Sequence, residues 1–174
     1  MKGDERVVKK LDELLSDELT AINQYMVHSE MCANWGYQRL HQAVEKRARQ
    51  EMHHAEKLIA RIIFLEGTPT VSRLNQIHIG TDVPKQLQSD KEAELHTNSM
   101  YNEAIRLADE AKDAATRDLL ESIVKEEDGH VDWLEEQLDQ VAQLGGAAVS
   151  IHADPRLGPP RSSPSRKGWT NEYH

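Results

Sequence analysis

One spacing, present twice, constrains this chain more than any other feature. Glu18 and Glu51 stand apart by the same interval as Glu94 and Glu127, and in each case a histidine, His54 or His130, follows the second glutamate at the third position. A single Glu-x-x-His says little, because 18 Glu and 9 His in 174 residues give about one such pair by chance. The common register says more. Glu94, Glu127 and His130 are displaced from Glu18, Glu51 and His54 by one constant offset, so the pattern Glu-x32-Glu-x-x-His is internally duplicated. Glu and His three apart on a helix project the same way, so each half can turn one oxygen and one nitrogen toward a common point.

Apolar periodicity supplies the helices this requires. From Asp4 to about Asn34, Val7, Leu11, Leu14, Leu15, Ile22, Tyr25 and Met26 recur at helical spacing. A second helix carries Val44, Ala48, Ala55, Leu58, Ile62 and Leu65 and is expected to stop at Gly67, with Pro69 just beyond. Asp82 followed by Pro84 reads as an N-cap with an early proline, and Leu87, Tyr101, Ile105 and Ala108 take a third helix to about Ala111. The fourth follows almost at once through Leu120, Ile123, Val131, Leu134, Leu138 and Val141 to Gly145-Gly146. Four helices of roughly 40 Å each make an all-α bundle. The turns after the first and third helices are short, which predicts two antiparallel hairpins, and the long link from Gly67 to Thr81 predicts one crossover along the bundle. AAVSIH, after Gly146, suits a short fifth helix. Residues 1–153 read as one domain, and 154–174, with four of the six prolines, as a Pro/Ser/Arg-rich tail that builds no core.

Glu18 lies on the apolar stripe of its helix, Glu51 aligns with Val44, Ala48, Ala55 and Leu58, and Glu127 sits between Ile123 and Leu134. Glu94 is flanked at one-face spacing by Leu87 and Tyr101, with polar residues between. Most glutamates are simply solvated, but carboxylates that face a core must be neutralised or paired, and four facing one core call for cations. Four carboxylates and two imidazoles suit two iron or manganese ions, with bridging carboxylates and positions open to water or oxygen. The same constellation defines the di-iron and di-manganese carboxylate bundles. Composition agrees: 30 acidic against 21 basic residues, with a pI near 5.5, disfavours nucleic acid and anionic membranes as partners and leaves cations as natural ligands. The single Cys32 permits no internal disulfide and no cysteine-based metal site. The charged start, MKGDERVVKKLDELL, and the lack of any long apolar run lead to the expectation of a cytoplasmic protein with no membrane span.

To about Ala153 the sequence resembles the bacterioferritin family, in MKGD, ELTAINQY, NWG, EMHHAEKLIARIIFLEG, IGTDV and KEEDGHVDWLE. The resemblance implies a ferritin-like four-helix bundle with one long crossover and a short fifth helix. It also implies a hollow shell of twenty-four subunits, built from two-fold dimers, that oxidises ferrous iron with oxygen or peroxide and stores ferric mineral. Glu18, Glu51 and His54 would hold one iron of a di-iron centre and Glu94, Glu127 and His130 the other, with Glu51 and Glu127 bridging and Tyr25 beside the centre. Met52 would be the axial ligand of a haem b shared between two subunits. A reducing ferredoxin and a second subunit type are further partners the resemblance brings into view.

The chain also departs from the family. Where some members carry a His and an acid one turn before the second-helix motif, this sequence has Lys46 and Gln50, which leaves an extra inner iron station in doubt. His53 beside Met52 is unusual and reads most simply as an exposed helical histidine. Cys32, Trp35 and Trp133 read as packing residues, and Trp169 and Tyr173 fall in the tail. The competing functions are a di-iron or di-manganese peroxidase or catalase that stores nothing, and a purely structural helical subunit. A rubrerythrin would need more cysteines, and a DNA-coating mini-ferritin would not need two complete motifs in one bundle.

Overall fold

Aspartates open three of the four helices. Asp4 accepts from the Arg6 amide at 2.8 Å, Asp82 from the Lys85 amide at 3.0 Å, and Asp113 from the Thr116 amide at 3.1 Å, each satisfying an amide that has no partner within its own first turn. The computed structural model describes residues 2–143. They form α1 (Glu5–Asn34), α2 (Gln38–Phe64), α3 (Val83–Glu110) and α4 (Ala114–Gln143), with no strand among the described residues. No helix among these is long and apolar enough to cross a membrane. The expected fifth helix at 147–152 and the tail at 154–174 lie outside the described residues.

The offset between the two motifs extends to the scaffold. α1 ends at Asn34 and α3 at Glu110, while α2 begins at Gln38 and α4 at Ala114, and both pairs are related as Glu18 is to Glu94. Both hairpin turns close through a residue in the left-handed region, Gly36 at φ 87° and Lys112 at φ 56°. In each, an amide reaches back to the last turn: Tyr37 to the Cys32 carbonyl at 2.9 Å, Asp113 to that of Ala108 at 2.8 Å. The end of α2 differs from expectation in detail. The left-handed residue there is Glu66, at φ 64°, and not Gly67. Gly67 is small for another reason: a Cβ on it would lie 2.6 Å from Val8 Cγ1 and 2.9 Å from Ile62 Cγ2.

α1 packs on α2, α3 on α4, and α1 on α3. The crossover runs beside α1 on a ladder of polar groups spaced four residues apart. Asp12 accepts from the Thr70 amide at 2.7 Å, Ser16 from the Arg73 guanidinium at 3.1 Å, Thr20 from the Asn75 amide at 2.8 Å, and Gln24 from the His78 amide at 2.9 Å. At the last rung His28 Nε2 accepts from the Gly80 amide at 3.0 Å, so its Nδ1 carries the proton and faces Asp90 at 2.9 Å. Helical spacing of short polar side chains thus replaces the ladder partners that an extended segment lacks.

Two apolar regions fill the bundle. Leu11, Leu14, Leu15, Leu58, Ile62, Tyr101, Leu120 and Ile123 pack one end. At the other, Cys32, Val83, Leu87 and Leu134 pack with Trp35 and Trp133, beside a group of Tyr25, Val44 and Ala48. Cys32 is a packed thiol, as expected; burial pushes it up to about 12, and it donates to Gln86 at 3.3 Å. A polar layer is enclosed between these apolar regions.

Candidate metal centre

That layer brings together all six residues singled out by the duplicated spacing, one from each of α1 and α3 and two from each of α2 and α4. Glu18, Glu51, His54, Glu94, Glu127 and His130 are each 3 % exposed or less. Glu94, whose one-face neighbours between Leu87 and Tyr101 are polar, is buried like the rest. Two sets could each hold a metal ion: Glu18, Glu51, His54 and Glu127, and Glu51, Glu94, Glu127 and His130. Within each set one ligand atom per residue lies within 4.8 Å of all the others. Glu51 and Glu127 belong to both, so the two positions share two carboxylates.

The donor atoms converge without satisfying one another. His54 Nδ1 lies 2.6 Å from Glu127 and 2.9 Å from Glu51, and His130 Nδ1 lies 2.9 Å from Glu51 and 3.0 Å from Glu127. Only the His54–Glu51 approach has hydrogen-bond alignment. Glu51 Oε1, both oxygens of Glu127 and both ring nitrogens of His130 are buried with no hydrogen-bond partner among the described residues. Such orphaned groups are costly and rare. Lone pairs that crowd together yet point past one another are aimed at points between them, which is how ligands around a cation are arranged.

Electrostatics agree. Burial drives Glu18 above its ordinary carboxylate range, and burial with the Glu127 charge drives Glu51 and Glu94 well above it. At His54 burial opposes protonation, but Glu127, Glu18 and Glu51 outweigh it and raise the imidazole. A layer in which acids hold protons and a histidine gains one is short of positive charge.

Tyr25 stands beside the centre, and its hydroxyl donates to Glu94. Tyr101 does the same for Glu18. The sequence offered Tyr101 only as an apolar position of the third helix, although it follows Tyr25 by the offset that relates Glu94 to Glu18 and so completes the duplication. Burial raises both phenols well above their ordinary value, so both stay donors. Glu126 was also missed: it bonds His54 Nε2 at 2.9 Å from the half-exposed side of α4. Nothing in the sequence marks it out among the charged residues of that helix.

Met52 takes no part in this layer and is 45 % exposed, as its position about 100° around the helix from Glu51 requires. Ile63, at the same face of α2, is exposed as well. His53 is an exposed histidine that meets Glu56 at 3.2 Å. Lys46 and Gln50 place no acid or imidazole one turn before the second-helix motif.

A family model described as a ferritin-like domain matches residues 8–144 of the chain. The bacterioferritin of Brucella melitensis biotype 1 is 38 % identical over 145 residues, which span 83 % of this chain and 90 % of that protein. That of Mycolicibacterium paratuberculosis is 40 % identical over 145 residues, spanning 83 % and 91 %. A bacterial ferritin of Neisseria meningitidis serogroup B is 39 % identical over 146 residues, spanning 83 % and 94 %.

Proposed function

The chain belongs to the bacterioferritin family, and from that premise and the geometry of the polar layer we propose that it is an iron-storage ferroxidase. Family membership supports iron storage. The ferroxidase step rests on one observation: two sets of buried ligands share Glu51 and Glu127, whose oxygens are otherwise unsatisfied. Two ferrous ions bind as substrate, one among Glu18, Glu51, Glu127 and His54, the other among Glu94, Glu51, Glu127 and His130. Four carboxylates and two imidazoles fit iron, because hard oxygen donors and imidazole accept both its ferrous and ferric states.

A pair of ferrous ions supplies the two electrons that, with two protons, convert dioxygen to hydrogen peroxide or peroxide to water. The chain's task is to hold both ions in one dry layer. Glu51 and Glu127 set their separation, Tyr25 and Tyr101 fix the outer carboxylates Glu94 and Glu18, and the apolar regions on either side exclude bulk water.

Storage follows if the ferric product leaves the layer for the cavity of a twenty-four-subunit shell of two-fold dimers. Met52, exposed on the face of α2 that also carries the apolar Ile63, is suited to self-pairing across such a two-fold. There two thioethers would hold one haem b, which supplies an electron path for reductive release. A ferredoxin is the proposed donor, and a second subunit type is compatible with the same shell. Residues 154–174 are proposed to lie outside the oxidising unit.

Size-exclusion chromatography with iron loading tests the proposal. A large assembly that takes up far more than two irons per chain is expected. A small assembly that oxidises iron and retains no more than about two per chain would make it a di-iron enzyme without storage.

A further inference from the structure

The two halves of the polar layer match ligand for ligand, but the groups behind their histidines do not. Behind His54, Glu126 Oε2 accepts a hydrogen bond from Nε2 at 2.9 Å and one from the Gln50 amide at 3.4 Å, while its other oxygen accepts from Lys57 at 3.3 Å. The bond from His54 keeps a proton on Nε2 and leaves Nδ1, which faces Glu51 and Glu127, as the nitrogen that gives up its proton when a metal binds. The result is the tautomer a metal ligand needs, and a carboxylate on the far nitrogen also makes the near one more basic. Behind His130, Nε2 has no hydrogen-bond partner among the described residues. The position that the duplication pairs with Glu126 is Gln50, an amide that carries no charge and is engaged with Glu126 itself.

We propose that Glu126 is a positioning residue for His54, and that it makes the two metal positions unequal, so that the one served by His54 takes a divalent cation first. This rests on the dinuclear reading above and adds an order of filling to it. Lys57 holds Glu126 from the solvent side, and Glu126 is 40 % exposed there, so the device stands between the buried layer and the surface of α4.

Anaerobic titration of the assembled, metal-free protein with Co(II), followed by visible ligand-field absorption, tests the proposal without reference to oxidation. Wild type should bind two ions per chain in two resolved steps. Glu126→Gln, which keeps the shape and removes the charge, should weaken the first step about 10- to 100-fold and leave the second within about threefold. Its melting temperature without metal should match wild type, which separates positioning from a structural role. His54→Ala should lose the tight step, and His130→Ala the weak one. Equal affinities in wild type, an unaltered first step in Glu126→Gln, or loss of the tight step in His130→Ala in place of His54→Ala would each overturn the proposal. Failure of wild type to bind a second ion would overturn the dinuclear reading itself.

Discussion

Tyr101 donates its hydroxyl to Glu18 across the α1–α3 interface, the counterpart in the second half of the duplication of Tyr25 donating to Glu94. Each phenol fixes the carboxylate that belongs to the opposite half. The two halves of the layer are therefore braced against one another by groups that belong to neither ligand set.

Replacing Tyr101 by Phe tests that bracing. The fully buried ring stays and only the hydroxyl is lost, leaving Glu18 without its donor, so stability should fall by about 1–3 kcal/mol. The rapid phase of ferrous oxidation should slow by about tenfold or more, as for other groups that orient a metal ligand. Denaturant unfolding and stopped-flow absorbance measure the two effects, and Tyr25→Phe should behave alike. Wild-type oxidation in both variants would show that the phenols only fill space.

Asp113 ties the second hairpin to the first. It caps α4, meets Arg61 of α2 at 2.7 Å and accepts from Thr116. Burial opposes its ionisation, but Thr116 and Arg61 outweigh it and hold the carboxyl below its ordinary value of 3.8. A depressed acid stabilises the fold above its unfolded pKa, and that contribution disappears as pH falls through the folded value. Asp113→Ala should therefore cost about 0.5–2 kcal/mol at pH 7, with the gap to wild type closing below about pH 4. Unfolding at both pH values is the measurement, and a gap that persists or widens in acid contradicts the assignment.

Much of the centre was legible because helical registration turns sequence spacing into geometry. Glu18 to His130 could be placed from two intervals, the step from Glu18 to Glu51 and the offset from Glu18 to Glu94, and the same offset governs where α1 and α3 end. Tyr101 escaped because a tyrosine at core spacing is indistinguishable from packing until its hydroxyl finds a partner, although the offset from Tyr25 marks it. The polar ladder at Asp12, Ser16, Thr20, Gln24 and His28 was hidden by the charged residues around it, and all its partners but the Arg73 guanidinium at Ser16 are backbone amides that no side-chain pattern reveals. Glu66 in place of Gly67 as the left-handed residue shows the same limit. Glycine marks that turn for room, since Val8 of another helix crowds it, and that neighbour is tertiary information.

Met52 separates the haem proposal from the iron one. It is exposed, on a face of α2 turned away from the buried layer, so Met52→Leu should abolish haem binding and slow reductive iron release while leaving the initial oxidation rate nearly unchanged. Optical spectra report haem content, and the two rates are followed separately. Normal low-spin haem in the variant would move the ligand role elsewhere, with the exposed His53 next to be replaced.

The central claim is that six side chains from four helices form one centre that oxidises two ferrous ions together. Stopped-flow oxidation, with the ratio of iron to chain varied, tests it most directly. The wild-type fast phase should saturate at about two ferrous ions per chain, and Glu94→Ala and His130→Ala, each removing a ligand of one position only, should slow it by about tenfold or more. A fast phase unchanged in both variants would contradict the account.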